Sequence, residues 1–441
     1  MADQVTVGID IGTSSVKAIA ADPSGRVVAR CRIAHPILTP TAGALEHDVD
    51  RSWRRGVADT FDAVSRGLDV AAVNVSAMVP SLAAVDAAGR ALTPGLLYGD
   101  ERGLDPTGPS VATPAESGEV VRFLRWCSAR APEAAGFWPA QAVANHQLCG
   151  VGAIDTVTAM TTVPLFDYTA WDPVVAAGAG ARTDQLPRLA PGAETIGHTS
   201  DGVAVGGGTI DAFAEQLVSG ASRVGDVLVI LGSTLIVWIV TDEWIDRPGL
   251  WTVPHTTPGL TLIGGASNAS GLFGSVVDRI VAPGHQELAD PSDVPVWLPY
   301  VRGERVPLHD PHRRGSLHGI TMTQGPSAVR RAAFEASGFV VRQMIDVAGV
   351  AATRIVASGG GTQSVAWLQA LADASGLPVD SAAVPENAAL GAAWLARGVA
   401  GLDQTDGPES WVRFAAHVEP DQRWARSASD RYATFRELSG V

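Results

Sequence analysis

The stretch VTVGIDIGTSSVKAIAAD, residues 5–22, decides the fold. Its segments VTVGIDI and SVKAIAAD are rich in β-branched and small apolar residues, which is typical of strands, and the glycine and hydroxyl residues between them indicate a turn. A second turn, Asp22-Pro23-Ser24-Gly25, leads into RVVARCRI, residues 26–33. The first 33 residues are therefore predicted to form an antiparallel meander of three strands.

A helix and a buried strand follow this meander. Trp53, Val57, Phe61 and Val64 recur at helical spacing, and Asp48 or Asp50 is the expected cap of that helix. The apolar run AAVNVSA, residues 71–77, then predicts a buried strand. The order meander, helix, strand is typical of an α/β unit in which helices pack on a mixed sheet.

The second half repeats this order. VLVILGS and TLIVWIVTD, residues 227–242, echo the first hairpin and suggest an internal duplication. Next come predicted elements in the order helix (326–347), strand (353–361), helix (through Ala366 and Leu371), strand (377–381) and helix (385–396). A length of 441 residues also favours two domains, which we place at 1–220 and 221–441, with surface loops at 103–118 and 283–294.

Composition excludes several classes of protein. With 46 acidic and 32 basic residues the net charge is −14, so nucleic acid is not an expected partner. Three distant cysteines without a CxxC pair favour a reducing compartment, and the longest apolar run is shorter than the roughly 20 residues of a membrane-spanning helix. We expect a cytoplasmic protein without a membrane partner. Lys17, the only lysine, is expected to face solvent.

Two segments place a carboxylate beside a glycine turn. In Gly8-Ile-Asp10-Ile-Gly12-Thr13-Ser14 the turn can offer N–H groups and hydroxyls to phosphate while Asp10 holds a hydrated Mg²⁺, although a plain hairpin turn explains the same residues. In Gly206-Gly-Gly-Thr-Ile-Asp211 the glycines allow close approach to a ligand, and Asp211 either acts on that ligand or caps the next helix.

Two further glycine segments lie in the second half. Gly232-Ser233-Thr234 repeats the hydroxyl-bearing turn, and Ser358-Gly-Gly-Gly-Thr-Gln363 joins a strand to a helix, a context suited to placing backbone against a nucleotide. The pattern GxxxxGK[ST] is absent, so a nucleotide site would be of another type.

Taken in this order, the segments resemble the FGGY family of carbohydrate kinases. The resemblance extends to GLLYGDERG (95–103), TAMTTVPLFDYTAWD (158–172) and PYVRGERVPLHDPHRRGSLHGI (299–320), and so to nearly the whole chain. It implies α/β architecture with two ribonuclease H-like domains of the actin, hexokinase and Hsp70 type and an interdomain cleft. It also implies a phosphotransferase that uses ATP and Mg²⁺ to phosphorylate an alcohol group of a small sugar or polyol.

The resemblance assigns roles position by position. It makes Asp211 the general base and Asp10 a Mg²⁺ ligand. It assigns phosphate contacts to Thr13, Ser14, Gly232, Ser233 and Thr234, and the adenosine site to Gly315, Gly360, Gly361 and Gln363. Asp100 and Arg102 would lie near the sugar, or would form an ion pair that fixes a loop.

One departure concerns the substrate. Xylulokinases of this family carry Met-His-Gly at the sugar site, where this chain has Val79, Pro80 and Ser81. The missing histidine removes a polar contact, so a ketose or polyol is expected but D-xylulose is in doubt. The sequence leaves open whether the protein forms a homodimer. It also leaves open two alternative functions on the same fold: a sugar or nucleotide sensor without turnover, and an actin- or Hsp70-like ATPase.

Overall fold

A computed structural model describes residues 4–103, 118–190, 192–281 and 290–440. The chain forms two compact units: the first comprises Met1–Val218 and Glu386–Trp411, and the second comprises Ser219–Pro385 and Val412–Val441. The predicted boundary at residue 220 lies beside the observed one. The prediction differs in giving residues 386–411 to the second domain. The predicted loops at 103–118 and 283–294 fall largely outside the described residues.

Up to residue 218 the elements alternate between short strands and helices. The strands are β1 Val5–Ile11, β2 Ser15–Ala21, β3 Val27–Ala34, β4 Glu46–His47, β5 Val70–Ala77, β6 Ser81–Val85, β7 Gly95–Leu97, β8 Gly136–Trp138, β9 Ala153–Asp155, β10 Arg188–Ala190, β11 Thr195–His198, β12 Ala204–Gly206 and β13 Thr209–Ile210. The helices are α1 Gly56–Ser65, preceded by a π-helical segment Asp50–Arg55, α2 Glu119–Arg130, α3 Ala140–Cys149, α4 Thr156–Met160, α5 Pro173–Gly178 and α6 Asp211–Leu217, with a 3₁₀ turn at Thr183–Gln185.

Beyond residue 218 the helices are longer on average. The strands are β14 Asp226–Leu231, β15 Leu235–Thr241, β16 Trp251–Pro254, β17 Thr261–Ser267, β18 Val296–Leu298, β19 Ser316–His318, β20 Arg354–Ser358, β21 Val379–Ala382 and β22 Phe414–Val418. The helices are α7 Gly271–Ile280, α8 Pro326–Ala348, α9 Val365–Ser375, α10 Asn387–Val399 and α11 Gln422–Ser439, with 3₁₀ turns at Gly360–Gln363 and Pro408–Trp411. The sequence analysis did not predict β22 or α11.

Both units contain the same sheet topology. The main sheet of the first unit has the order β11-β12-β5-β1-β2-β3, and that of the second unit has the order β16-β17-β15-β14-β20-β21-β22. In each, three antiparallel strands (β1–β3; β14, β15 and β17) are continued by two parallel strands beside the first (β5 and β12; β20 and β21). This shared order agrees with the duplication that the sequence suggested.

The helix near the N-terminus begins where the sequence placed it. Helical backbone starts at Val49, and the Asp48 carboxylate accepts a hydrogen bond from the N–H of Arg51 at 3.0 Å, so Asp48 rather than Asp50 is the cap. Trp53, Val57 and Val64 are buried against the meander, as the helical spacing predicted.

Helix α10 belongs to the first unit because its alanine-rich surface packs against β1 and α6. A side chain at Gly8 would overlap the Ala389 carbonyl, and one at Gly391 would overlap the Ala214 carbonyl on α6. Ser76 on β5 also donates a hydrogen bond to the carbonyl of Ala388, at 3.4 Å. These close backbone contacts explain why residues 386–411 belong to the first unit and not to the second.

We expect Gly391→Ala to destabilise the first unit by about 1–3 kcal/mol, because the added methyl group overpacks the contact between α10 and α6. The matched control is Gly274→Ala in α7, where a methyl group meets no atom within 4 Å. Replacing this helical glycine should stabilise the second unit by about 0.5–1 kcal/mol. Urea titration followed by tryptophan fluorescence measures both effects. Equal stability of the two variants would contradict the close packing of α10.

Candidate active site

Asp10 lies near the carboxyl end of β1 and is 4% exposed. The antiparallel register places it directly opposite Lys17 on β2, and Lys17 Nζ lies 3.2 Å from Asp10 Oδ2. The expectation that Lys17 faces solvent is wrong: its side chain is 30% exposed, and the Asp10 carboxylate raises its pKa. The other Asp10 oxygen, Oδ1, is buried and accepts no hydrogen bond from the described residues.

Asp211 is the first residue of α6. Its Oδ1 accepts a hydrogen bond from the N–H of Ala212 at 2.7 Å, whereas a helix cap bonds to an N–H two or three residues further on. Loss of hydration raises the pKa of Asp211 to about 6, and the nearby Asp10 carboxylate adds to the shift while Lys17 opposes it. Asp10, Lys17 and Asp211 therefore interact electrostatically within the first unit.

The loop before Asp211 is held by buried amide side chains that the sequence analysis did not single out. The Asn74 carbonyl oxygen accepts a hydrogen bond from the N–H of Gly208 at 2.9 Å, and Gly208 has a φ of 95°, which favours glycine. Gln141 and Asn145 on α3 donate to the carbonyls of Thr209 and Gly207. The available signal was a pair of amides at i and i+4 in α3, which also carries His146 and Gln147.

The turn between β1 and β2 is anchored by its carbonyl and hydroxyl groups. Thr13 Oγ1 lies 3.0 Å from the hydroxyl of Tyr98, and the N–H of His35 donates to the Ser14 carbonyl at 2.9 Å. The Ser14 side chain is exposed. This arrangement keeps the turn in place while leaving Ser14 accessible.

His47 fixes the same turn through a defined tautomer. Trp53 Nε1 donates to His47 Nδ1 at 3.1 Å, so the ring proton lies on Nε2, which donates to the Thr13 carbonyl at 2.8 Å. Burial and the adjacent His35 ring lower the pKa of His47 to about 4. His47 therefore stays neutral at ordinary pH and keeps both hydrogen bonds.

Asp100 and Arg102 form the ion pair that was the alternative to a sugar contact. Asp100 is fully buried, its carboxylate accepts from the N–H of Leu45 at 2.7 Å, and the Arg102 guanidinium bonds to it and to Glu46. Arg102 also lies over the ring of Trp126 at 4.9 Å. With both oxygens of Asp100 enclosed, this pair holds the segment around residues 99–102.

Val79 and Pro80 lie in the short connection between β5 and β6 and are partly exposed. The connection starts directly after Ala77, the strand residue that pairs with Ile210 of β13. The predicted sugar loop and the Asp211 loop therefore leave the sheet from paired positions.

In the second unit the structure assembles most of the predicted nucleotide elements. The N–H groups of Gly271 and Leu272 at the start of α7 donate to the carbonyls of Gly232 and Ser233, both at 2.9 Å. Ser270 Oγ donates to the Gly232 carbonyl at 2.8 Å. These bonds fix the turn that carries Ser233 and Thr234.

The glycine loop after β20 packs against that turn. A side chain at Gly359 would clash with the Leu231 carbonyl, and one at Gly361 would contact Leu231 and the ring of Trp367. Gly360 and Gln363 belong to the same 3₁₀ turn. Gly315 lies elsewhere, next to Leu298 and Val301.

A cavity of about 200 Å³ adjoins these elements. Its wall includes Trp367, which stacks on Phe334 with ring centroids 5.2 Å apart, and it is otherwise formed by α7 and α8. Asp278 and Arg330, an ion pair at 2.6 Å, also line it. A flat apolar wall beside a glycine loop is suited to an aromatic base. None of the four predicted adenosine contacts lines this cavity: Gly315, Gly360, Gly361 and Gln363.

Comparison with known proteins identifies the family to which this chain belongs. Models of the FGGY family of carbohydrate kinases match residues 5–106 (N-terminal domain) and 227–398 (C-terminal domain), together more than half of the chain. The chain therefore belongs to the FGGY family of carbohydrate kinases, and its phosphoryl donor is ATP.

Individual relatives extend over nearly the whole sequence. Xylulose kinase from Escherichia coli K12 is 27% identical over 98% of each chain. Gluconokinase from Bacillus subtilis 168 is 25% identical over 83% of this chain and 82% of its own. The crystal structure of xylulose kinase from Rhodospirillum rubrum has a TM-score of 0.78 at 26% identity and covers 99% of this chain and 98% of that one. These likenesses support the two-domain fold.

Within the described ranges, no helix is both long and apolar enough to cross a membrane. Within the same ranges, His, Cys, Asp and Glu side chains form no group of three that could hold a metal ion.

We expect Lys17→Met to lower the free energy of unfolding by about 1–3 kcal/mol in metal-free protein, because Asp10 is then left buried beside Asp211 without a cation. Adding Asp10→Asn to Lys17→Met removes that charge and should recover most of the loss. Urea titration in the presence of EDTA measures the single and double variants. A double variant no more stable than Lys17→Met would show that Lys17 acts through packing rather than charge.

Proposed function

We propose that this kinase transfers the γ-phosphoryl group of ATP to a hydroxyl of a small ketose or polyol, with Asp211 as general base. The observation that carries the proposal is the position of Asp211: a carboxylate with a raised pKa, interacting with Asp10 and Lys17 beside the predicted sugar loop. The first unit would bind the acceptor, and the second unit would bind the nucleotide.

Asp211 suits the role of base on chemical grounds. A pKa of about 6 leaves the carboxylate ionised at neutral pH, yet makes it a better proton acceptor than an ordinary aspartate. Its position at the start of α6 also leaves one oxygen beyond the bond to Ala212. That oxygen can accept the proton of the attacking hydroxyl.

Asp10 fits a Mg²⁺ ligand. Mg²⁺ bound with a nucleotide usually contacts one or two carboxylates, phosphate oxygens and water, so a cluster of three acidic residues is not required. The unbonded Oδ1 of Asp10 is an oxygen that such an ion or its water could use. Bound there, Mg²⁺ would neutralise charge on the triphosphate, while Lys17 holds the other oxygen in place.

The second unit would bind the nucleotide through its glycine turns and its cavity. Ser233 and Thr234 would contact phosphate oxygens, and the cavity beside Trp367 would hold the adenine. Gly360 and Gln363 are then close to the base or ribose. Gly315, which packs beside Leu298 and Val301, stays a predicted contact of the adenosine site.

The acceptor is assigned only as a class. The relatives named above act on xylulose and gluconate by their names, and both compounds are small polyhydroxylated molecules. Val79 and Pro80 stand where xylulokinases carry a histidine, so this chain would contact its acceptor there through apolar surface. We therefore propose a ketose or polyol whose recognition does not require a polar side chain at positions 79 and 80.

Asp211→Asn should lower kcat by about 10²- to 10⁴-fold, because a positioned base contributes that much to proton transfer. The amide is nearly isosteric and still accepts the hydrogen bond from Ala212, so the melting temperature and the affinity for the acceptor should change little. Steady-state kinetics on the best acceptor from a panel of pentuloses, hexuloses and polyols, paired with a thermal melt, measure these effects.

The matched control is Asp172→Asn. Asp172 is also an aspartate at a helix N-terminus, and it accepts from the N–H groups of Val174 and Val175. Asparagine caps helices as well as aspartate does, so this variant should keep its activity. Near-normal turnover in Asp211→Asn would reduce Asp211 to a helix-terminal residue and overturn the proposal.

Changing Ser233 and Thr234 together to Ala should weaken ATP binding much more than acceptor binding, because their hydroxyls are proposed to contact phosphate. Isothermal titration with each ligand separately measures the difference. Ser375→Ala, which removes a hydroxyl bonded within α9 of the same unit, should leave both affinities unchanged. Equal losses for ATP and acceptor would refute the assignment.

A further inference from the structure

A single buried side chain connects the two loops that the proposed function places at the acceptor. Gln141 on α3 is fully buried. Its Nε2 donates hydrogen bonds to the carbonyls of Ala77 and Thr209, each at 3.2 Å. The two carbonyls are 132 positions apart in sequence, so this amide cross-links distant parts of the first unit.

Both carbonyls lie where a functional loop leaves the sheet. Ala77 ends β5 and is followed by the connection that carries Val79 and Pro80. Thr209 opens β13, and Asp211 comes two residues later. A shift at either carbonyl is therefore transmitted directly to the acceptor loop or to the base.

The sheet alone holds these ends weakly. Strand β13 has only two residues, and its pairing with β5 consists of Thr209 opposite Ser76 and Ile210 opposite Ala77. Gln141 adds two hydrogen bonds across the same two strand ends. Because one amide nitrogen bonds to both carbonyls, it limits how far apart the two carbonyls can lie.

Neighbouring amides hold the preceding residues in the same way. Asn145, one turn after Gln141 on α3, donates to the carbonyls of Ala153 at 2.9 Å and Gly207 at 3.0 Å. The side chain of Asn74 accepts from the N–H of Gly208 at 2.9 Å. Residues 207, 208 and 209 are thus each bonded to a buried amide. The donor groups of Gln141 and Asn145 are bonded, whereas Gln141 Oε1 and Asn145 Oδ1 accept no hydrogen bond from the described residues. Moving the loop would leave further buried polar groups unpaired, which costs free energy, so the bonds that are made favour one loop position.

We propose that Gln141 is a positioning residue that holds the acceptor loop at Val79–Pro80 and the Asp211 loop at a fixed separation. The inference rests on the proposed role of Asp211. Gln141 acts through the backbone of Ala77 and Thr209 and does not itself contact the reacting atoms. A base displaced by about 1 Å can lose on the order of 10²-fold in rate, so this cross-link affects turnover even at a distance from the chemistry.

Gln185 provides a matched control in the same unit. It is also a buried glutamine; its Nε2 donates to the Ala134 carbonyl at 2.8 Å, and its Oε1 accepts from the N–H of Arg182 at 2.9 Å. These partners belong to neither the acceptor loop nor the Asp211 loop. A purely structural amide and a positioning amide can therefore be compared directly.

The experiment measures steady-state kinetics and thermal melts of Gln141→Met and Gln185→Met. Methionine keeps the length of the side chain and removes both N–H donors. We expect both variants to lose stability. Only Gln141→Met should lose kcat, by about 10- to 100-fold, with the KM for ATP within about twofold of wild type. If Gln141→Met does not fold, Gln141→Glu keeps the shape, places a carboxylate against two carbonyls, and should show the same loss of kcat.

A kcat near wild type in the position-141 variant, or an equal loss of kcat in both methionine variants, would overturn the inference. Failure of the proposed function is distinguishable, because it appears as normal turnover in Asp211→Asn. Loss of turnover in Asp211→Asn with normal turnover in the Gln141 variant would remove the positioning role alone.

Discussion

The first unit depends on the parallel pairing of β1 with β5, which runs from Val5 opposite Val70 to Ile11 opposite Ala77. This register brings the carboxyl end of β1, with Asp10, next to the carboxyl end of β5. Strand β13 pairs with the last residues of β5, so Asp211, which directly follows β13, lies at the same edge. Ligand-binding residues gather at the carboxyl ends of parallel strands in open α/β sheets, and the reason here is that three separate loops leave one edge together.

Charged groups of both signs lie at that edge. Two carboxylates, Asp10 and Asp211, lie close enough to interact, and one lysine opposes them. Loss of hydration, followed by the Asp10 carboxylate, raises the pKa of Asp211, and Lys17 opposes that shift. Two residues of the same type therefore have different surroundings: Asp10 is paired with Lys17, whereas the Asp211 carboxylate binds a proton more readily than an ordinary aspartate.

Much of the fold and of the candidate site could be predicted from the sequence where the sequence pattern was local. The meander, the strand AAVNVSA and the glycine segments before Asp211 and after Ser358 have signals within a few residues. The family resemblance supplied the proposed roles of Asp10 and Asp211, and the comparisons show the family itself.

What could not be predicted depends on tertiary packing. Strand β2 is buried on both faces, so alternation does not show which way Lys17 points; its pairing with Asp10 follows from the register of the β1–β2 hairpin. Helix α10 has small residues over much of its surface, and nothing local indicates that it returns to the first unit. The position of Gly315 beside Leu298 and Val301 likewise comes from the fold.

As a carbohydrate kinase, this protein should consume ATP to phosphorylate a free hydroxyl compound. Phosphorus-31 NMR of the wild-type protein with Mg-ATP and each ketose or polyol in turn measures the products. We expect a phosphomonoester signal that grows in step with ADP for at least one acceptor, with little inorganic phosphate. Release of inorganic phosphate at the same rate with and without every acceptor would contradict it and would indicate an ATPase instead.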